Sequence, residues 1–120
     1  ELQRVVKWLR KGGQADAAYS GTTIEGRAST FPLLHTATCS DHMEMVRELL
    51  TRGASVDLPT SFGVTALMTS ANAGHLSTAS VLLQHSANPD LQDVYGATAL
   101  MMAAQPGQEA CVQALLRAKA

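Results

Sequence analysis

From residue 34 onward, apolar side chains come in short bursts separated by polar stretches rich in Gly and Pro. Leu67, Ser70 and Ala71 make one burst of small or apolar residues, and Leu100, Ala103 and Ala104 another. Val46, Leu49 and Leu50 make a second kind, repeated by Ala79, Leu82 and Leu83 and by Val112, Leu115 and Leu116. Each follows an i, i+3, i+4 spacing, which puts its members on one face of a helix. Short helices of two kinds are therefore predicted, in alternation. Thr65 and Thr98 precede the first kind, and their hydroxyls suit the free N–H groups of a first turn. Gly74, and later Pro106-Gly107, mark where those helices stop. Asp41 and Glu44 precede a helix of the second kind and predict a capping box with Asp41 as the cap. Glu48 and Arg52 form an i, i+4 pair on it, and Gly53 ends it. The connecting stretches SVDLPTSFG and NPDLQDVYG predict tight turns or hairpins.

The bursts recur at a fixed period. Leu34, Leu67 and Leu100 are 33 residues apart, as are Leu49, Leu82 and Leu115. His42 and His75 share a column with Gln108, and Asp57 shares one with Asp90. Small residues at Ala37, Ser70 and Ala103 predict close approach of neighbouring first helices. Near the start, Val5, Trp8, Leu9 and Gly12 keep the spacing of Val46, Leu49, Leu50 and Gly53, offset by 41. Residues 1–13 thus read as the second helix of an earlier unit. The larger offset places eight extra residues within 17–30, where Gly and Thr suit a loop.

A unit of turn, helix, turn and helix at this period resembles the ankyrin repeat. The family pattern T-P-L-H-x-A-x-x-x-G-H…V-x-x-L-L-x-x-G-A is approached by three stretches. They are PLLHTATCSDHMEMVRELLTRGA (32–54), TALMTSANAGHLSTASVLLQHSA (65–87) and TALMMAAQPGQEACVQALLRAKA (98–120). The resemblance implies an all-α solenoid of stacked helix-turn-helix units with hairpin-like fingers. It divides one domain, 1–120, into a partial repeat at 1–16, a long finger or insertion at 17–30, repeats at 27–59 and 60–92, and a truncated repeat at 93–120. The pattern is not met everywhere. Met68 and Met101 stand where the family has His, Ala66 and Ala99 where it has Pro, and Pro32 where it has the capping Thr. The His that braces the turn is missing from two units, which predicts looser local order there.

Composition narrows the rest. Hydrophobic residues make up 46% of the chain and aromatic ones 4%, so the core is built from Ala, Leu, Val and Met. Nine basic and ten acidic side chains leave a net charge of −1, without the concentrated positive charge that nucleic acid requires. Arg4, Lys7, Arg10 and Lys11 form a small basic cluster that reads as a solvated helix face. Cys39 and Cys111 have no CxxC spacing and read as free thiols of an intracellular, reducing compartment, the cytoplasm or an organelle. No apolar run approaches the ~20 residues of a membrane span, and no signal segment or N-x-[ST] sequon is present. The first residue is Glu rather than Met, which suits a fragment or a processed chain. The run Ile24-Glu25-Gly26-Arg27 spells a tag-removal protease site, and reads either as native sequence or as a scar.

The residues offer little catalytic chemistry. By the resemblance, His35 fills the T-P-L-H position and His42 and His75 the Gly-His position, so repeat structure accounts for all three. His85 alone makes no metal site, because zinc needs three or four ligands at a recognisable spacing. No GxSxG elbow or phosphate-binding loop is present. Cys39 is expected on the inner side of a first helix, near the surface. Cys111 lies among apolar positions and is expected to be inert. No catalytic, cofactor-binding or metal residue is assigned, no cofactor is expected, and the chain reads as a non-enzyme.

The resemblance implies a concave surface of finger tips and first helices that binds another protein. Carried onto this chain, its contact positions are Phe31, Ser61, Phe62, Val64, Val94 and Tyr95 on the fingers, with Ser29 and Ala97 beside them. On or near the first helices they are Cys39, Asn72 and Gln105, with Ser40, Ala73 and Pro106. His85 and Gln92 flank them. Phe62 and Tyr95 hold the same column, either as anchors for a partner or packed within their own fingers. Neither end of the chain has the polar outer face of a capping repeat, which predicts further repeats or a covering subunit. Three functions fit: a protein-interaction module, an assembly factor or structural subunit of a larger complex, and the regulatory region of an enzyme. Nucleic-acid binding fits least.

Overall fold

The computed structural model describes residues 3–4, 7–8, 11–16, 18–22 and 28–118. Two antiparallel strands, β1 (Ala18–Thr22) and β2 (Ala28–Pro32), pair from Ala18 opposite Pro32 to Thr22 opposite Ala28. The long finger at 17–30, whose Gly and Thr content also suited a loop, thus has two paired strands. Tyr19, Thr22, Thr30 and Phe31 are residue types that favour extended backbone. The segment Ile24–Arg27 lies outside the described residues.

Six helices follow among the described residues: α1 (Leu33–Cys39), α2 (Met43–Thr51), α3 (Ala66–Ala73), α4 (Leu76–Gln84), α5 (Ala99–Ala104) and α6 (Glu109–Arg117). They form three pairs. The first helices α1, α3 and α5 pack in one row, and the second helices α2, α4 and α6 in another. The architecture is an all-α stack of helix-turn-helix units with a short β-hairpin finger.

The predicted faces make the core, except in the third pair, where Ala104 and Leu116 are exposed. Leu49, Leu82 and Leu115 are sealed, one from each second helix. Ala37, Ser70 and Ala103 are sealed between first helices, where a larger side chain would force the row apart. Two buried hydroxyls are satisfied within their own helices: Ser70 Oγ donates to the Leu67 carbonyl at 3.0 Å, and Thr38 Oγ1 to that of Leu34 at 2.8 Å. Among the described residues no buried side-chain nitrogen or oxygen lacks a hydrogen bond. No described helix is long and apolar enough to cross a membrane.

Helix boundaries follow local chemistry. Thr65 and Thr98 cap α3 and α5, accepting from the N–H groups of Met68 at 3.3 Å and Met101 at 3.4 Å. Met68 does not loosen its turn. Its side chain is 1% exposed, and its sulfur accepts the Thr65 N–H at 3.4 Å, closing the box that a polar residue usually closes. Met101, in the same column, is 56% exposed, on the side of α5 that no described helix covers.

Asp41 does not cap α2. His42 holds the N-cap position without a side-chain bond. Asp41 adopts φ 54°, in the column where Gly74 and Gly107 adopt 76° and 80°. This left-handed turn ends α1, and the Asp41 carboxylate serves the next helix pair instead. Its Oδ1 accepts from Thr78 Oγ1 at 2.9 Å, and its Oδ2 lies 3.5 Å from His75 Nδ1.

A second tie repeats along the stack. Asp57 Oδ1 accepts the Asn88 N–H at 2.9 Å. Asp16 accepts the Ser55 N–H at 2.6 Å and the Ser55 hydroxyl at 2.7 Å. Asp16 precedes Asp57 by 41 residues, and Ser55 precedes Asn88 by 33. Of the expected N-terminal helix, residues 3, 4, 7 and 8 are helical. Val5, Leu9 and Arg10 lie outside the described residues. Trp8, which matches Leu49 by spacing, is largely exposed and rests its ring against Gly13.

Candidate partner-binding face

The second and third finger tips are each folded by a side chain at the base. Thr60 Oγ1 accepts the N–H groups of Phe62 and Val64 at 3.2 and 3.3 Å. Asp93 Oδ1, one period on, accepts those of Tyr95 and Ala97 at 2.9 and 3.0 Å. An acceptor reaching N–H groups two and four residues ahead closes a tight turn, and Gly63 and Gly96 supply its positive φ. Thr60 and Asp93 are not among the expected contact positions; their signal is a side-chain acceptor just before each tip, one repeat apart.

The fingers are joined edge to edge. The Ser61 N–H donates to the Thr30 carbonyl at 3.2 Å, and Ser61 Oγ accepts the Thr30 N–H at 3.1 Å. The Val94 N–H donates to the Phe62 carbonyl at 3.0 Å. Phe31, Ser61, Phe62, Val94 and Tyr95 thus lie along one continuous ladder beside the row of first helices. Val94 and Tyr95 are 60% and 86% exposed. Phe62 is half-buried, and Val64 is half-buried against the core. The side chains of Tyr19 and Ser29 lie outside what the structure describes.

On the first helices, Cys39, Asn72 and Gln105 are all exposed near the C-terminal ends of α1, α3 and α5. The Asn72 carbonyl accepts from Gln108 Nε2 of the next pair at 3.2 Å, leaving its side-chain amide to solvent. His85 ends α4, in the second-helix row and away from the ladder.

His35 is a structural link. Its ring stacks on Phe31 with centroids 5.9 Å apart, and its Nε2 shares a hydrogen bond with Thr69 Oγ1 of the next first helix at 2.9 Å. Burial pushes the imidazole below its ordinary pKa and so favours the neutral ring. Cys39 Sγ lies 3.7 Å from His35 Nδ1, yet burial raises the thiol pKa, so the pair is not an activated thiolate. Cys111 is free and buried, its pKa also raised by burial. Among the described residues no three His, Cys, Asp or Glu side chains come together as metal ligands.

A family model described as ankyrin repeats, in three copies, matches residues 34–120. The chain belongs to the ankyrin repeat family. No curated protein matches it. Ankyrin repeats are non-catalytic scaffolds that generally mediate protein–protein interaction, which agrees with the reading of this chain as a non-enzyme. The match takes in α1 from its second residue, the other five helices, and the two fingers at 60–64 and 93–97.

Proposed function

We propose that this ankyrin stack binds a partner protein through its fingers and first helices. The observation that carries the reading is the finger ladder. Hydrogen bonds fix its backbone, while Val94 and Tyr95 stand out into solvent. A rigid scaffold that presents exposed side chains pays little ordering cost on binding, and aromatic anchors dominate interface energetics. Asn72 and Gln105 add amides beside the ladder. The two free cysteines support a reducing, intracellular compartment as the site of binding.

The test is affinity capture from native extract with the wild-type chain and with the Tyr95→Ala and Asn72→Ala variants. A partner held by the wild type and lost from both variants supports the reading. A partner held equally by all three overturns it.

One observation supports a second reading, that of a structural subunit. Met101 and Leu116 are more than half exposed on the third pair, whereas Met68 and Leu50 in the same columns are buried. A permanent neighbour on that face would cover them. Exchange of the captured partner with added free chain within minutes favours the transient module, and retention over hours favours the subunit.

A further inference from the structure

Formal charge is nearly absent from the proposed binding face. Strand β2, the fingers at 60–65 and 93–98, and helices α1, α3 and α5 contain a single Asp, Glu, Lys or Arg, which is Asp93. Its carboxylate oxygen Oδ1 is taken by two backbone N–H groups of its own turn. Asp41 follows α1 directly, but its carboxylate is directed to Thr78 and His75 of the next pair. The charges gather elsewhere: Glu44, Arg47, Glu48 and Arg52 lie on or just after α2, and Glu109 and Arg117 on α6. The face instead presents the Tyr95 ring, Val94, hydroxyls and the amides of Asn72 and Gln105.

This distribution selects its occupant. An acidic side chain pressed onto such a face would lose its water and meet no counter-charge, and a basic one would meet only the carboxylates of Asp93 and Asp41, each already engaged by its own hydrogen bonds, so either is costly. An apolar side chain loses nothing, and an amide or hydroxyl finds partners in the exposed amides of Asn72 and Gln105. Charge patterns elsewhere steer encounters and reject wrong partners. Here the lack of charge does the rejecting.

We infer that the finger and first-helix face takes an uncharged protein segment, with apolar anchors flanked by amide or hydroxyl groups, and discriminates against segments bearing Lys, Arg, Asp or Glu at the contacts. The inference rests on the proposed binding role of this face. Binding to it is insensitive to salt, because no long-range charge attraction contributes.

The test pans a random short-peptide display library against the purified chain, then measures the recovered peptides against wild type and Tyr95→Ala. Tyr95 is exposed, so the variant keeps its fold, and circular dichroism checks this. Charged residues are expected to be depleted about threefold from the input, with affinity changing less than about twofold between roughly 0.05 and 0.5 M NaCl. Tyr95→Ala is expected to weaken these peptides about tenfold. Peptides weakened by Tyr95→Ala but enriched in charge, or losing about tenfold in affinity with salt, overturn the inference and leave the binding face standing. Peptides that Tyr95→Ala leaves untouched overturn the binding face itself. Recovery of no peptide overturns the inference.

Discussion

Asp41 Oδ1 accepts a hydrogen bond from Thr78 Oγ1 at 2.9 Å, so the turn that closes one first helix holds the second helix of the next repeat. The same residue sits at φ 54°, a conformation that costs an L-residue about 1–2 kcal/mol. A local cost is thus offset by a contact between neighbours. In Asp41→Ala the acceptor is lost and the strained backbone keeps its Cβ, so stability is expected to fall by about 1–2 kcal/mol in urea unfolding. Asp41→Gly loses the same acceptor but relaxes the turn, and its fall is expected to stay below about 1 kcal/mol. A glycine variant less stable than the alanine variant would contradict this account.

The sealed seam predicts a graded response in the second-helix row. Leu82 is fully buried, whereas Leu116 is 51% exposed. Leu82→Ala is expected to cost about 3 kcal/mol in thermal or denaturant unfolding, and Leu116→Ala less than about 1 kcal/mol. Equal effects would mean that the third repeat is covered in solution.

Ser70 separates two demands, small size and hydrogen bonding. Its hydroxyl bonds only within its own helix, so Ser70→Ala is expected to change stability by less than about 1 kcal/mol. Ser70→Leu pushes α3 away from its neighbours and is expected to cost about 1–3 kcal/mol. Denaturant midpoints of the two variants make the comparison.

His35 predicts a pH dependence of definite sign. Burial lowers its pKa in the folded state from an ordinary value of 6.5. Above that value the imidazole is neutral in both states and makes no difference. As pH falls below it, the unfolded chain takes the proton first, so stability is lost until the folded pKa is passed. Unfolding measured from pH 8 to pH 5 is therefore expected to show a steeper decline for the wild type than for His35→Gln. A shallower wild-type decline would contradict the assignment.

The cysteines differ in access. Cys39 is exposed and Cys111 is buried, and burial raises the pKa of both. A thiol-specific alkylating reagent is expected to modify Cys39 in the native chain, more slowly than a free cysteine at neutral pH, and Cys111 only on unfolding. Mass spectrometry of the alkylated chain reads both.

Much of this structure was legible from spacing. The columns of Leu49, Leu82 and Leu115, and of Ala37, Ser70 and Ala103, had to face a common interior because their periods match a helix and each other. The threonine caps were legible for the same local reason. Asp41 was misread because Asp three residues before Glu is a cap signal within one helix, while its actual partners lie 34 and 37 positions away. Met68 was misread because a thioether is seldom counted as an acceptor. The finger at 17–30 was legible as an insertion from the larger offset, but its Gly and Thr content did not mark the strands at 18–22 and 28–32. On the candidate face, Val94, Tyr95 and Asn72, named from the family pattern, are exposed, but nothing local announced that backbone hydrogen bonds join one finger to the next.

The finger and first-helix face, and not the second-helix row, is the surface proposed to meet the partner. A photo-reactive amino acid at position 95, on the ladder, and one at position 113, on the exposed side of α6, can be compared in native extract. Crosslinks to one protein from position 95 and none from position 113 are expected. Crosslinks from position 113 alone would contradict the finger and first-helix face as the site of binding.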